Sequence, residues 1–330
     1  MDVSVPERVS IRRARPEDED AVTAFTDRIW TDRGGDYLGR VYRDWLEEPG
    51  SERKHTFLAE IPSGGDLADR APVPEDEIGT DEEGESTTVA GLVQAVMLSD
   101  DEAWFQGMRV NPDYQGMGIS RRLNEACVEW ARDRGATVGR IMTFSWNAPA
   151  LGAARAAGFD PVTEFRWAHP DPDAAAEPAH AVSRDPAAAW RCWSDHDARD
   201  HLRGLGLCTE ESWALRALTR ADLDRLSRRG DLHVLHEDGV RGFAYNTRLW
   251  DRTDEDGETT TYAEYGVGVW ADVDTARSLF DAIAADAAER GADETRVLIP
   301  ETVRYVSDAS AAGARISEEP DFVLGIDLTR

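Results

Sequence analysis

The segment that most restricts this chain is Val110-Asn111-Pro112-Asp113-Tyr114-Gln115-Gly116-Met117-Gly118-Ile119-Ser120. Ahead of it, Ala103–Val110 reads as a strand. Behind it, Ile119, Leu123, Ala126, Cys127 and Trp130 share one face of a helix over Gly118–Arg134, which Gly135 ends. A small-residue loop in that position leaves the first helical N–H groups without intrahelical acceptors. Together with the helix dipole they suit a diphosphate, and glycines 116 and 118 let the backbone approach its oxygens.

Other elements frame this unit. Strands are read at Ser10–Arg13, Thr56–Ile61, Val89–Leu98, Val138–Phe144 and Val162–Trp167. A helix carries Val22, Phe25 and Ile29 behind Pro16. A second contains Tyr37, Val41, Tyr42 and Trp45, and a third runs Ala148–Ala157 before Gly158. This order predicts an α/β (α+β) fold, a mixed sheet flanked by helices. Residues 62–87, rich in Gly, Pro, Asp and Glu, read as a mobile acidic loop, and 169–188 as a linker. Cys127 lies on the apolar helix face and is expected in the core.

The second half repeats the first. Asp133-Arg134-Gly135-Ala136 recurs as Glu289-Arg290-Gly291-Ala292, and Ala156-Ala157-Gly158 as Ala311-Ala312-Gly313. Gly107-Met108-Arg109-Val110 loosely matches Gly266-Val267-Gly268-Val269, and the spacing to the next helix is shorter where the glycine loop should be. The expected organisation is a first domain over 1–168 and a degenerate second copy over 189–330 that lacks the loop.

Composition excludes several partners. Asp and Glu number 65 against 37 basic residues, giving a net charge of −28, which repels nucleic acid and anionic lipid. Lys54 is the only lysine, and acidic excess with arginine in its place resembles proteins of salt-accumulating haloarchaea. At molar salt the Debye length shrinks to about 3 Å, so such charge chiefly hydrates the surface. With no long apolar run, no secretory h-region and three scattered cysteines, a cytoplasmic protein with reduced thiols and no metal centre is expected.

Gln115 and Gly118 stand in register with the GNAT N-acetyltransferase motif [Gln/Arg]-x-x-Gly-x-[Gly/Ala], with Ser120 at its last position. Asn147, Ala150, Gly158 and Phe159 are similar to the family's second signature. Residues 10–167 thus resemble a GNAT acetyltransferase, and the whole chain resembles the two-domain histidine N-acetyltransferase-like group: a GNAT-like domain followed by a degenerate GNAT-like copy. The resemblance implies direct transfer from acetyl-CoA to an amine. Gln115, Gly116, Met117, Gly118, Ile119 and Ser120 would hold the pyrophosphate; Met108, Val110 and Asn147 would border the pantetheine arm.

The family's tyrosine acid, seven residues after the signature Asn, is replaced by Ala154. Glu102, Gln106 and Tyr114 are the candidates for catalytic groups, although Gln106 cannot ionise. Resemblance around Gly34-Gly35-Asp36-Tyr37-Leu38 puts Asp36 and Tyr37 near a small amino-acid-like acceptor. Two other readings stay open: a non-catalytic acyl-CoA-binding or regulatory module, and an acetyltransferase of peptide or protein amines. Homodimerisation through the second half is open as well.

Overall fold

The computed structural model describes residues 9–31, 35–46, 52–62, 78–80, 86–253 and 257–330. The chain divides into two compact units that exchange short segments. The first comprises Met1–Ile141, Pro149–Asp160 and Gly325–Arg330; the second comprises Met142–Ala148 and Pro161–Leu324.

The first unit contains β1 (Ser10–Arg13), α1 (Glu19–Thr26), α2 (Leu38–Leu46), β2 (Lys54–Pro62), β3 (Ile78–Thr80), β4 (Ser86–Met97), β5 (Glu102–Val110) and α3 (Ile119–Arg132), and most of β6 (Val138–Phe144) and α4 (Ala148–Ala156). Its sheet order is β1-β2-β4-β5-β6, antiparallel except for the parallel β5–β6 pair. Alternating apolar side chains turn one sheet face toward α1 and α2, where Val22, Phe25, Leu38, Tyr42, Leu58, Val89 and Leu92 form a closed core. Each fully buried side chain of that size stabilises by about 1.5–3 kcal/mol. The C-terminus is tied into this unit: Arg132 Nε donates to the Leu328 carbonyl at 2.9 Å.

The second unit follows with β7 (Asp160–His169), β8 (Ala181–Ser183), α5 (Pro186–Ser194), α6 (Asp197–His201), β9 (Leu205–Leu207), β10 (Leu215–Ala217) and α7 (Arg220–Arg229). Then come β11 (Leu232–His236), β12 (Val240–Thr253), β13 (Thr259–Trp270), α8 (Val273–Glu289), β14 (Glu294–Pro300), α9 (Val303–Ala311), β15 (Arg315–Ile316) and the start of β16 (Asp321–Asp327). Its strands lie in the order β7-β14-β13-β12-β11-β8, with β13 and β14 parallel.

Two stretches differ from the sequence expectation. Within 62–87, β3 forms a hairpin ladder with β4, Ile78↔Thr88 to Thr80↔Ser86; residues 63–77 and 81–85 lie outside the described residues. Three residues are too few to show a period, so composition alone read them as loop. Within 169–188, β8 pairs with β11, and Asp185 caps α5 by accepting the N–H groups of Ala187 (2.9 Å) and Ala188 (3.3 Å).

Both units contain the same hairpin irregularity. Gly91 faces Val110 and Leu92 faces Arg109, after which the register slips so that Gln94 faces Gln106. Gly242 faces Trp270, Phe243 faces Val269, and Tyr245 then faces Gly266. A Cβ on Gly91 would lie 2.6 Å from the Arg109 carbonyl oxygen, and one on Gly242 would lie 2.4 Å from that of Val269. The ladder thus equates Val110 with Trp270, one residue later than the loose sequence match to Val269.

Candidate active site

The end of β5 is built for access. Its ladder to β6 covers only Glu102↔Val138, Ala103↔Gly139 and Trp104↔Arg140, after which the parallel strands part. Beyond Val110, Asn111 turns the chain and is wholly buried. Its N–H donates to Ala90 O (2.9 Å), its Nδ2 to Val89 O (3.2 Å), and its Oδ1 accepts the N–H of Asp113 (3.1 Å). One side chain therefore fixes the loop to the end of β4.

A 3-10 turn, Pro112–Tyr114, leads to Gln115 in extended conformation and then to Gly116 at φ 78° and Gly118 at φ 77°. Both φ values belong to the left-handed region that glycine enters without steric cost. Gly118 is the N-cap of α3 and has no side chain to occupy the first amides, so these donors face outward at the positive end of the dipole. A Cβ on Gly116 would meet nothing within 4 Å: the space above it is open. Ile119 and Met117 are buried and anchor the turn, Ser120 is half-buried, and Gln115 and Gly116 are exposed. The residues present fit a diphosphate.

Beside this loop, a second cluster gathers on β5. Asp36, buried, holds Arg109 in an ion pair, with Arg109 Nη2 at 3.3 Å from Oδ1. Asp36 Oδ1 also accepts the N–H of Leu38 at 3.0 Å, at the start of α2. Trp30 covers the Arg109 guanidinium at 4.0 Å, and Tyr37 lies 5.6 Å from it. Trp30 has φ 56°, an outlier for a bulky side chain that costs of order 1–3 kcal/mol. Arg28 donates to Asn111 Oδ1 and Asp113 Oδ2, both at 2.9 Å.

Residues 27–159 match the model of the acetyltransferase (GNAT) family. That matched segment, less than half of the chain, is similar to a GNAT acetyltransferase domain. The chain is an acyltransferase, and acetyl-CoA is the donor that such domains use. The likeness in fold extends past the matched segment. A GCN5-related N-acetyltransferase from Sphaerobacter thermophilus is 15% identical, with 98% of this chain and 97% of that one covered at a TM-score of 0.59. A GCN5-related glucosamine N-acetyltransferase region of a fungal multi-domain GH3 β-N-acetylglucosaminidase is 15% identical, covering 98% of this chain and 38% of that one, at a TM-score of 0.55. No protein of curated function matches. Among the described residues no helix is long and apolar enough to cross a membrane.

The first unit brings Met108, Val110 and the run from Gln115 to Ser120 to one end of β5. Asp36 and Tyr37 meet on Arg109 beside them; Gly34 and Pro49, named with them in the resemblance, lie outside the described residues. Gln106 is half-buried, its Nε2 donating to Gln94 Oε1 at 2.8 Å, while Gln94 Nε2 donates to Thr56 Oγ1 at 3.1 Å. Glu102 is elsewhere. It is ion-paired with Arg140 at the opposite end of β5, about 26 Å of strand from Val110 at ~3.3 Å per residue.

Tyr114 is buried within the turn, its N–H on the Asn111 carbonyl at 2.9 Å. Asn147 belongs to the second unit, where its N–H donates to Phe144 O at 3.0 Å. Ala154 is buried in α4, so that helix offers no phenol at this position. Burial pushes the Cys127 thiol far above its usual range, as befits a core residue.

Sequence reasoning missed Trp30, Arg28 and Gln94, and gave Arg109 and Asn111 no role. Arg28 and Asn111 are 83 residues apart, and Asp36 and Arg109 are 73 apart. Neither pairing leaves a local pattern to read.

Proposed function

We propose that this chain transfers acetyl from acetyl-CoA directly to the primary amine of a small amino-acid-like acceptor. The observation that carries the reading is the open, glycine-capped start of α3 at the end of β5, where β5 has parted from β6. Residues 115–120 hold the pyrophosphate, and the backbone of Met108 and Val110 borders the pantetheine arm. The neutral amine forms the C–N bond as the C–S bond breaks, and the proton it gives up in becoming the amide balances the one taken by the leaving thiolate.

Gln106, oriented by Gln94, is a hydrogen-bonding group and not a base, so the acceptor must reach the thioester as the neutral amine. Glu102 is committed to Arg140 and Tyr114 to the turn, so we give neither the proton transfer. Asp36 and Tyr37 form the acceptor side. The protein acts in the cytoplasm, on a free amine, and without metal or nucleic acid. The division of labour follows the two copies: the 1–168 domain carries the chemistry, and the 189–330 copy supports it without binding the donor.

Thiol release from acetyl-CoA across free amino acids, polyamines and short peptides, in multimolar KCl, tests this. Turnover with one small amine is expected. Turnover with peptides alone would move the acceptor to a peptide N-terminus, and silence across the panel would defeat the reading.

A further inference from the structure

We infer that Trp30 is a positioning residue for the acceptor side of the site, held in a disfavoured backbone conformation by its stack on Arg109. The inference rests on the acetyl-transfer reading above. A bulky residue at φ 56° persists only where its surroundings over-determine it. Here they do. The indole lies on the guanidinium at 4.0 Å, and the Trp30 carbonyl accepts the N–H of Gly35 at 3.0 Å. The guanidinium is itself fixed on all three nitrogens, Nε and Nη2 to Asp36 and Nη1 to the Met108 carbonyl. Asp36 passes the constraint to α2 through the N–H of Leu38.

The segment is pinned again two residues before Trp30, where Arg28 reaches Asn111 and Asp113. Residues 28–30 and 35–38 are thus fastened on both sides of Val110, with the strained tryptophan between the fastenings. What they hold in place is an aromatic wall. Tyr37 is 40% exposed and meets Trp45 edge-on, with centroids 6.4 Å apart. Trp45 in turn fills the space above Gly107, where a Cβ would lie 2.2 Å from its ring. Gly107 follows Gln106 directly. The wall therefore stands over the part of β5 where the acceptor must meet the thioester, and Trp30 sets its position without needing to touch the reacting atoms.

Two substitutions separate this role from general support of the fold. Trp30→Gly accepts the positive φ but removes the ring; Trp30→Phe retains a ring over the guanidinium. With the amine found in the panel, Trp30→Gly is expected to raise the acceptor KM about tenfold or more, with kcat changed less than about threefold and acetyl-CoA Kd within about twofold. Trp30→Phe should restore most of the acceptor KM. An unchanged acceptor KM in Trp30→Gly would overturn the inference, and so would equal losses in acceptor KM and acetyl-CoA Kd.

Should Trp30→Gly fail to fold, Trp30→Asn, which also tolerates the positive φ and removes the indole, reads the same position: a raised acceptor KM supports the inference and an unchanged one overturns it. Failure of the unaltered protein to bind acetyl-CoA would instead strike the acetyl-transfer reading, which keeps the two failures apart.

Discussion

The two helix starts, α3 in the first unit and α8 in the second, follow equivalent strands yet are finished in opposite ways. Residues 111–117 lie between β5 and the α3 cap, Gly118. Only Ala271 lies between β13 and the α8 cap, Asp272. Gly118 brings no side chain to the first turn. Asp272 places a carboxylate there, accepting the N–H (2.9 Å) and hydroxyl (2.7 Å) of Thr275 and pairing with Arg241. Those hydrogen bonds, the backbone one first, hold its pKa below the usual range, so it remains an anion. The first start is left open to an external anion; the second contains its own. The second unit thus differs from the first by a shorter loop and a side-chain-capped helix, while the hairpin irregularity before it is kept.

The largest effect expected comes from giving α3 the same feature. Ser120→Asp puts a carboxylate in its first turn and should weaken acetyl-CoA binding about 100-fold, by like-charge repulsion and loss of open donors. Calorimetric titration checks it, and affinity within threefold of the unaltered protein would contradict the account. The reciprocal change, Asp272→Ala, should confer no binding, since the loop is missing. It should cost about 1 kcal/mol for the lost cap, read as a lower Tm.

Gln106→Glu comes next. The unaltered enzyme should show kcat/KM rising with pH toward the pKa of the acceptor amine. The carboxylate variant should be faster near neutrality and flatter in its profile, as an added base requires. A variant with the original slope would show that Gln106 does not face the amine.

Gly91→Ala and Gly242→Ala sharpen the comparison from the side of the sheet. Both added methyls collide with a strand carbonyl, so each should destabilise its own unit by about 1–3 kcal/mol. A large loss at one and none at the other would mean that the shared bulge is not equally tight in the two units.

The smallest effect is one of pH. His55 packs against Phe57 with the rings tilted and their centroids 4.3 Å apart, and burial, followed by Arg13 and Arg134, lowers its pKa from 6.5 to about 4. Folding favours the neutral ring, so its contribution is intact above pH 6.5 and is lost as pH falls from 6.5 toward 4. In His55→Gln the fall in Tm across that window should be shallower.

Much of the first unit was legible in the sequence because it is written in local signals. Amphipathic spacing gave α3, glycines 116 and 118 gave the loop, and Gly135 gave the helix end. The acceptor side was not legible in the same way. The positive φ of Trp30 follows from a stack with a residue far along the chain, and the amide chain from Gln106 through Gln94 to Thr56 crosses three strands. Such contacts are products of tertiary packing and leave no period in the sequence. The short matches Asp133-Arg134-Gly135 and Glu289-Arg290-Gly291 can be read in the sequence, but the correspondence of the strand ends, Val110 with Trp270, is seen only in the ladders.

The most direct test of the central claim is the stoichiometry of acetyl-CoA binding to the full chain, by calorimetry in multimolar KCl. One acetyl-CoA per chain is predicted, its binding unaffected by Asp272→Ala and weakened by Ser120→Asp. Two equivalent sites per chain, or a single site that Ser120→Asp leaves untouched, would contradict the account.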